Sequence, residues 1–128
     1  YQKTEIPEGR KNDNYTLTVD ADGRVTSAIG DMAEPALTIA ADGGVTAPDT
    51  VRSKLELGDS YGMRNASSLG KEWYEHSEGY CSYLKGKTEK EVADIPADGS
   101  DADLAALCTI SIDALQKAAG DAFENASL

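Results

Sequence analysis

Few residues in this chain are equipped for chemistry, and their types exclude most reactions. His76 is the one imidazole in 128 residues, so a histidine-rich metal site is excluded and a His-dependent triad is disfavoured. Cys81 and Cys108 are too few for a disulfide framework. They read either as two half-buried free thiols or, in an oxidising compartment, as a pair. Asp20-Ala21-Asp22-Gly23 has the look of a calcium loop, but that loop needs another ligand before its glycine and a carboxylate at its end, and Gly23 comes too early. No metal site is expected. The chain has no glycine-rich phosphate loop, Cys-x-x-Cys pair or serine nucleophile elbow. Carboxylates are plentiful, yet none sits in an apolar sequence setting that would raise its pKa. The inventory argues against a self-contained hydrolase, and no catalytic residue is assigned.

Two features remain. Trp73, Tyr74, Tyr80 and Tyr83 bring half of the eight aromatics into one short stretch. At helical spacing such a stripe reads as packing against a sheet, with a stacking wall for a flat ring system as the sharper alternative. Thr109 stands six residues after Asp103 and just ahead of a helical pattern. It is either a helix-entry residue bonded to neighbouring backbone or a hydroxyl placed to carry a ligand.

Composition sets the frame for these residues. The length suits one domain, but 18 of the apolar residues are Ala and only 25 are Val, Ile, Leu, Met, Phe or Trp, so the core is small. A net charge of −11 repels phosphate backbones and anionic lipid surfaces, which excludes nucleic acid as a partner. Residues 91–128 hold eight acids and one base, Lys117, and read as a solvated acidic face. No apolar run approaches the roughly 18 residues of a membrane span. The chain opens at Tyr1 without an initiator Met, as expected after removal of a leader or for a fragment. The Asn-x-Ser/Thr triplets at Asn14, Asn65 and Asn125 are explained by the abundance of Ser and Thr.

The front half reads as hairpins. Residues 1–14 are expected to be a flexible segment and 15–128 a single domain. Tyr15, Leu17 and Val19 alternate, Ala21-Asp22-Gly23 turns the chain, and Val25 and Ile29 follow. Thr38 to Thr46 repeats Thr18 to Thr26, both reading Thr-(Val/Ile)-x-Ala-Asp-Gly-x-Val-Thr. Two copies are too few for a solenoid and predict two hairpins of one antiparallel sheet. Thr50 to Leu57 alternates again through Val51, Leu55 and Leu57 and predicts a further strand.

The back half reads as helices. Ser67 or Ser68 is placed to cap a helix running to about Lys85, stopped by Gly86, with a face of Leu69, Trp73, Ser77, Tyr80, Cys81 and Leu84. His76 falls on its polar side. Gly79 weakens that helix by roughly 1 kcal/mol relative to Ala and marks a possible close approach of another backbone. Thr88-Glu89-Lys90-Glu91 has the form of a capping box opening one short turn before Pro96. Ser100 is placed to cap an acidic turn, Asp101 to Leu107. The last helix is predicted over about Ile112 to Ala126, with Ile112, Leu115, Ala119, Ala122, Phe123 and Ala126 inward. The fold class expected is α+β: a small antiparallel sheet built from hairpins, with two main helices packed on it.

This order of elements resembles the small extracytoplasmic FMN-binding domain of bacterial exported electron-transfer proteins and lipoproteins. That family starts with a strand, an Asp-x-Asp/Gly-Gly turn and a strand, matched by Tyr15 to Ile29. It ends in Asp-x-x-(Ser/Thr)-Gly-Ala-Thr ahead of a last helix, and Asp103-Leu104-Ala105-Ala106-Leu107-Cys108-Thr109 stands in that register. Tyr61-Gly62-Met63, Gly70 to Glu75 and Cys108-Thr109-Ile110 are also similar to exported proteins of anaerobic gut Firmicutes. The resemblance implies an extracytoplasmic, secreted or surface-anchored domain. It implies FMN phosphoesterified to Thr109, with Asp103 beside it and the isoalloxazine against Trp73 and Tyr80. A phosphate there would rest on the free N–H groups of the following helix. The sequence departs from the motif, however: Ala106, Leu107 and Cys108 replace Ser-Gly-Ala, and Asp113 puts a negative charge at the helix start. The expectation is therefore a flavin-free, non-enzymatic binding or structural module of this fold on the cell surface. The alternative is an electron carrier with FMN at Thr109 or bound noncovalently, served by a flavin or cell-surface protein partner.

Overall fold

The alternation of Tyr15, Leu17 and Val25 builds a hairpin, β2 (Asn12–Val19) and β3 (Val25–Ala33), closed by the Asp20 to Arg24 turn. The computed structural model describes residues 2–5, 12–33, 38–39, 41–46 and 52–126. Gly23 takes the positive φ of +76° that the turn demands. The Asp20 carboxylate accepts the N–H groups of Asp22 and Arg24 at 2.9 and 3.0 Å, so it serves the turn. A strand ahead of the hairpin, β1 (Gln2–Glu5), pairs antiparallel with β2 and completes a β1-β2-β3 sheet. Part of the segment expected to be flexible is thus a strand of the sheet.

The strand reading missed a bulge. Val19 pairs with Val25 but Thr18 pairs with Ser27, so Thr26 is an extra residue in β3. That insertion reverses the inward face beyond it. Met32 is buried and Ile29, expected inward, is 61 % exposed. The second copy of the repeat does form a hairpin, β4 (Thr38–Ile39) with β5 (Val45–Thr46), but as a separate two-stranded sheet.

The strand expected over Thr50 to Leu57 is not formed where the chain is described; Thr50 and Val51 lie outside the described residues. Lys54–Leu57 is a short helix, α1, continued by a 3-10 turn over Gly58–Tyr61. The deciding signal is a capping box: the Glu56 N–H donates to Ser53 Oγ, and the Ser53 N–H donates to the Glu56 carboxylate. Helical spacing then turns Lys54 inward, where its ammonium lies 5.1 Å from the Tyr61 ring and 5.3 Å from the Trp73 ring.

Four further helices follow: α2 (Trp73–Leu84), α3 (Glu89–Ala93), α4 (Ala102–Ala105) and α5 (Asp113–Glu124). The architecture is α+β, a small antiparallel sheet with two main helices on one side: α2 packs across β3 and α5 across β2. Between them lie Tyr15, Tyr80, Leu84 and Leu115, each fully buried, which by area contribute about 1.5–3 kcal/mol apiece. Tyr15 and Tyr80 meet edge to face at 6.4 Å. Ala118, Ala119 and Ala122 keep α5 close to the sheet.

Helix α2 starts later than the Ser67 or Ser68 cap predicted. Glu72 occupies the N-cap and forms a capping box with Glu75. The buried Glu72 carboxylate also accepts the N–H groups of Met63 and Arg64 at 2.9 and 3.0 Å, fixing the preceding loop to the helix start. Thr88 and Glu91 form the expected capping box of α3. Asp101 caps α4 in place of Ser100, because its carboxylate accepts the Leu104 N–H at 3.0 Å.

Candidate functional site

Gly79 is the point from which the site is built. A Cβ there would lie 2.4 Å from the Leu107 carbonyl oxygen and 3.0 Å from its carbon, so α2 touches the backbone of the segment entering α5. The close approach expected from this glycine is present. One turn earlier, His76 pins the same segment. Its Nδ1 accepts the Thr109 N–H at 3.0 Å, which leaves the ring proton on Nε2 to be donated to Ser67 Oγ at 2.9 Å. His76 is therefore fully buried, against its expected place on a polar face, because Ser67 and the Thr109 backbone satisfy both nitrogens. With Nδ1 and Nε2 both committed, the ring is positioned as a strut. Its burial, aided by Lys71, lowers its pKa below the ordinary histidine value, with Glu75 opposing. The Lys71 ammonium donates to the Leu107 carbonyl at 3.3 Å and adds a third tie.

Held this way, Cys108 to Ile112 forms one wall of a cavity of about 380 Å³, opposite the Pro96 to Asp101 loop and α4. Leu104, Cys108 and Ile112 are buried and give it an apolar floor. Asp98, Asp101, Thr109 and Ser111 stand around its mouth. Asp101 is fixed by the Tyr83 hydroxyl, which donates to Oδ2, while Oδ1 accepts from Leu104. These bonds hold its carboxyl below the usual range, and the same contact pushes the Tyr83 phenol up to about 12. The Lys87 ammonium lies 4.3 Å from the Tyr83 ring and adds to the field on Asp101. Asp98 is lowered too, by hydrogen bonds from Ser100.

The thiols are free and buried. Burial pushes the Cys108 thiol up to about 11, and Cys81, whose sulfur is 3.3 Å from the Tyr15 hydroxyl, is also raised. Both are thiols rather than thiolates at neutral pH, which removes the nucleophile.

Of the four residues expected to hold a cofactor, the cavity gathers one. Thr109 is exposed on its rim, joined to α5 by Ile110, Ser111 and Ile112. Asp103, exposed in the first turn of α4, is not part of the lining. Trp73 and Tyr80 are 4 % and 0 % exposed and lie in the core, so they offer no stacking wall. The Tyr80 hydroxyl has no hydrogen-bond partner among the described residues. Sequence reasoning missed His76, Asp98 and Asp101. The signal for Asp101 was its N-cap spacing to Leu104; for His76 no local signal existed, since its partners come from two distant loops.

No family model matches the chain, and no solved structure matches it. A stretch of 42 residues, 33 % of the chain, is 50 % identical to part of a chlorophenol reductase from Desulfitobacterium hafniense, of which the chain covers 13 %.

Proposed function

We propose that this chain is an exported, non-enzymatic binding module whose ligand occupies the cavity between the Pro96 to Asp101 loop and the entry to α5. The observation that carries the reading is that cavity itself: an apolar floor under a ring of fixed polar groups, the usual make-up of a small-molecule site. The neighbouring groups that could do chemistry favour binding over catalysis. His76 has both nitrogens occupied by structural partners, and the two thiols are held protonated. The partial likeness to a reductase covers too little of either chain to carry that activity here.

A second reading rests on Thr109. Its exposed position on the rim, shortly before α5, suits an extracytoplasmic electron carrier with FMN attached through that hydroxyl or held noncovalently. Asp98 and Asp101, which line the same cavity, oppose it, since their charges repel a phosphate.

The binding reading is tested by amide NMR with an uncharged probe, 2-phenylethanol, in millimolar excess. Shifts concentrated at residues 97–112 are expected. Shifts scattered over the surface, or none, would end the reading.

A further inference from the structure

We propose that the cavity selects an organic cation, an amine or quaternary ammonium group carried on a short apolar body. This rests on the binding-module reading and adds the chemical class of the ligand. The floor of Leu104, Cys108 and Ile112 provides contact for an apolar body and nothing for a charge to pair with. The mouth supplies the charge: Asp98 and Asp101 line it, and no lysine, arginine or histidine is among the lining residues. From Asp94 to Asp113 the chain carries five carboxylates and no base. A concave, partly apolar surface concentrates such a field at its opening, attracting cations and repelling anions.

The geometry prepares the acceptor. Tyr83 and the Leu104 N–H each occupy one oxygen of Asp101 and fix its plane. The Asp98 carboxylate, which lines the same cavity, is held by the Ser100 N–H on Oδ1 at 2.9 Å. Lys87, whose charge acts on Asp101, lies 4.3 Å from the Tyr83 ring and is not part of the lining. Among the described residues no group of three or more His, Cys, Asp or Glu is placed to hold a metal ion. The apolar floor then points to an organic rather than an inorganic cation.

Matched probes test this: phenethylamine, 2-phenylethanol and 3-phenylpropionate, titrated at neutral pH and low salt while the amides of residues 97–112 are followed. The amine is expected to bind roughly fivefold to tenfold more tightly than the alcohol, the carboxylate more weakly than either, and the amine's advantage to shrink with salt. Asp98→Asn and Asp101→Asn are expected to shrink the ratio of amine to alcohol affinity to about twofold or less. Asn is as good an N-cap as Asp, so α4 survives the second change. The unperturbed amides elsewhere report that each variant is folded. An amine binding no better than the alcohol, or an advantage that survives both substitutions, overturns the inference and leaves the binding reading intact. If none of the three probes moves the cavity amides, the binding reading itself falls.

Discussion

Gly79→Ala sets two physical arguments against each other, and its sign decides between them. Judged as a helix position alone, replacing a mid-helix glycine by alanine stabilises by about 1 kcal/mol. The fold reverses that. The new methyl would sit 2.4 Å from the Leu107 carbonyl oxygen and 3.0 Å from its carbon, atoms of backbone that cannot rotate aside. Ordinary contact needs roughly 1 Å more, so α2 and the Leu107 segment must separate. That segment is held by Lys71 on the Leu107 carbonyl and by His76 on the Thr109 N–H, and both bonds lengthen when it moves. Overpacking of this kind costs about 1–3 kcal/mol, and disturbing two hydrogen bonds costs about 1 kcal/mol each. The net expectation is a loss of about 2–4 kcal/mol after the helix gain is subtracted. Urea unfolding followed by far-UV circular dichroism measures it, with an unchanged slope showing that the unfolded state is unaltered. The amides of residues 107–112 should shift more than those of the sheet. A Gly79→Ala protein more stable than the parent would refute the claimed contact between α2 and the α5 entry.

Other outcomes follow from the same framework. His76→Gln should cost about 2–4 kcal/mol, since a fully buried ring that makes two hydrogen bonds is replaced, and should increase hydrogen exchange at Thr109. The pH dependence has a definite sign. His76 is lowered in the fold, so the unfolded chain binds its proton more readily. Its contribution is complete above the ordinary value near 6.5 and is lost as pH falls through the window below it, where a second N–H at Nδ1 would face the Thr109 N–H. Melting temperatures at pH 7.5 and 5.5 should differ more for the parent than for His76→Gln. Glu72→Ala should cost about 2–4 kcal/mol and loosen residues 62–71, read as faster amide exchange at Met63 and Arg64. Thiol titration should find two thiols in the denatured chain without reductant and slow reaction in the native one, because both are buried and raised.

What could be read from the residues was whatever is local. The Asp-Gly turn, the inward Tyr15, Leu17 and Val25, the Trp73, Ser77, Tyr80, Cys81 and Leu84 face of α2 and the Thr88 capping box each depend on neighbours within a few positions, and each is found, whereas Leu69, expected on that face, lies ahead of the helix. The errors have equally physical causes. A one-residue bulge at Thr26 is silent in the pattern yet exchanges Ile29 for Met32 in the core. Ser53 to Leu57 satisfies both a two-residue and a helical period, and the Ser53–Glu56 box settles it. The site was legible only in part. Thr109 was marked by its place before the last helix, whereas His76 owes its burial to Ser67 and Thr109, nine and 33 positions away. Trp73 and Tyr80 were rightly an aromatic stripe of α2, but a stripe does not say whether sheet or solvent covers it.

The intact mass of the protein, made with and without a flavin transferase, tests the central claim of a flavin-free binding module most directly. The account predicts the mass of the unmodified chain in both cases and a colourless protein. An added mass of one FMN with yellow absorbance, both absent in Thr109→Val, would contradict it.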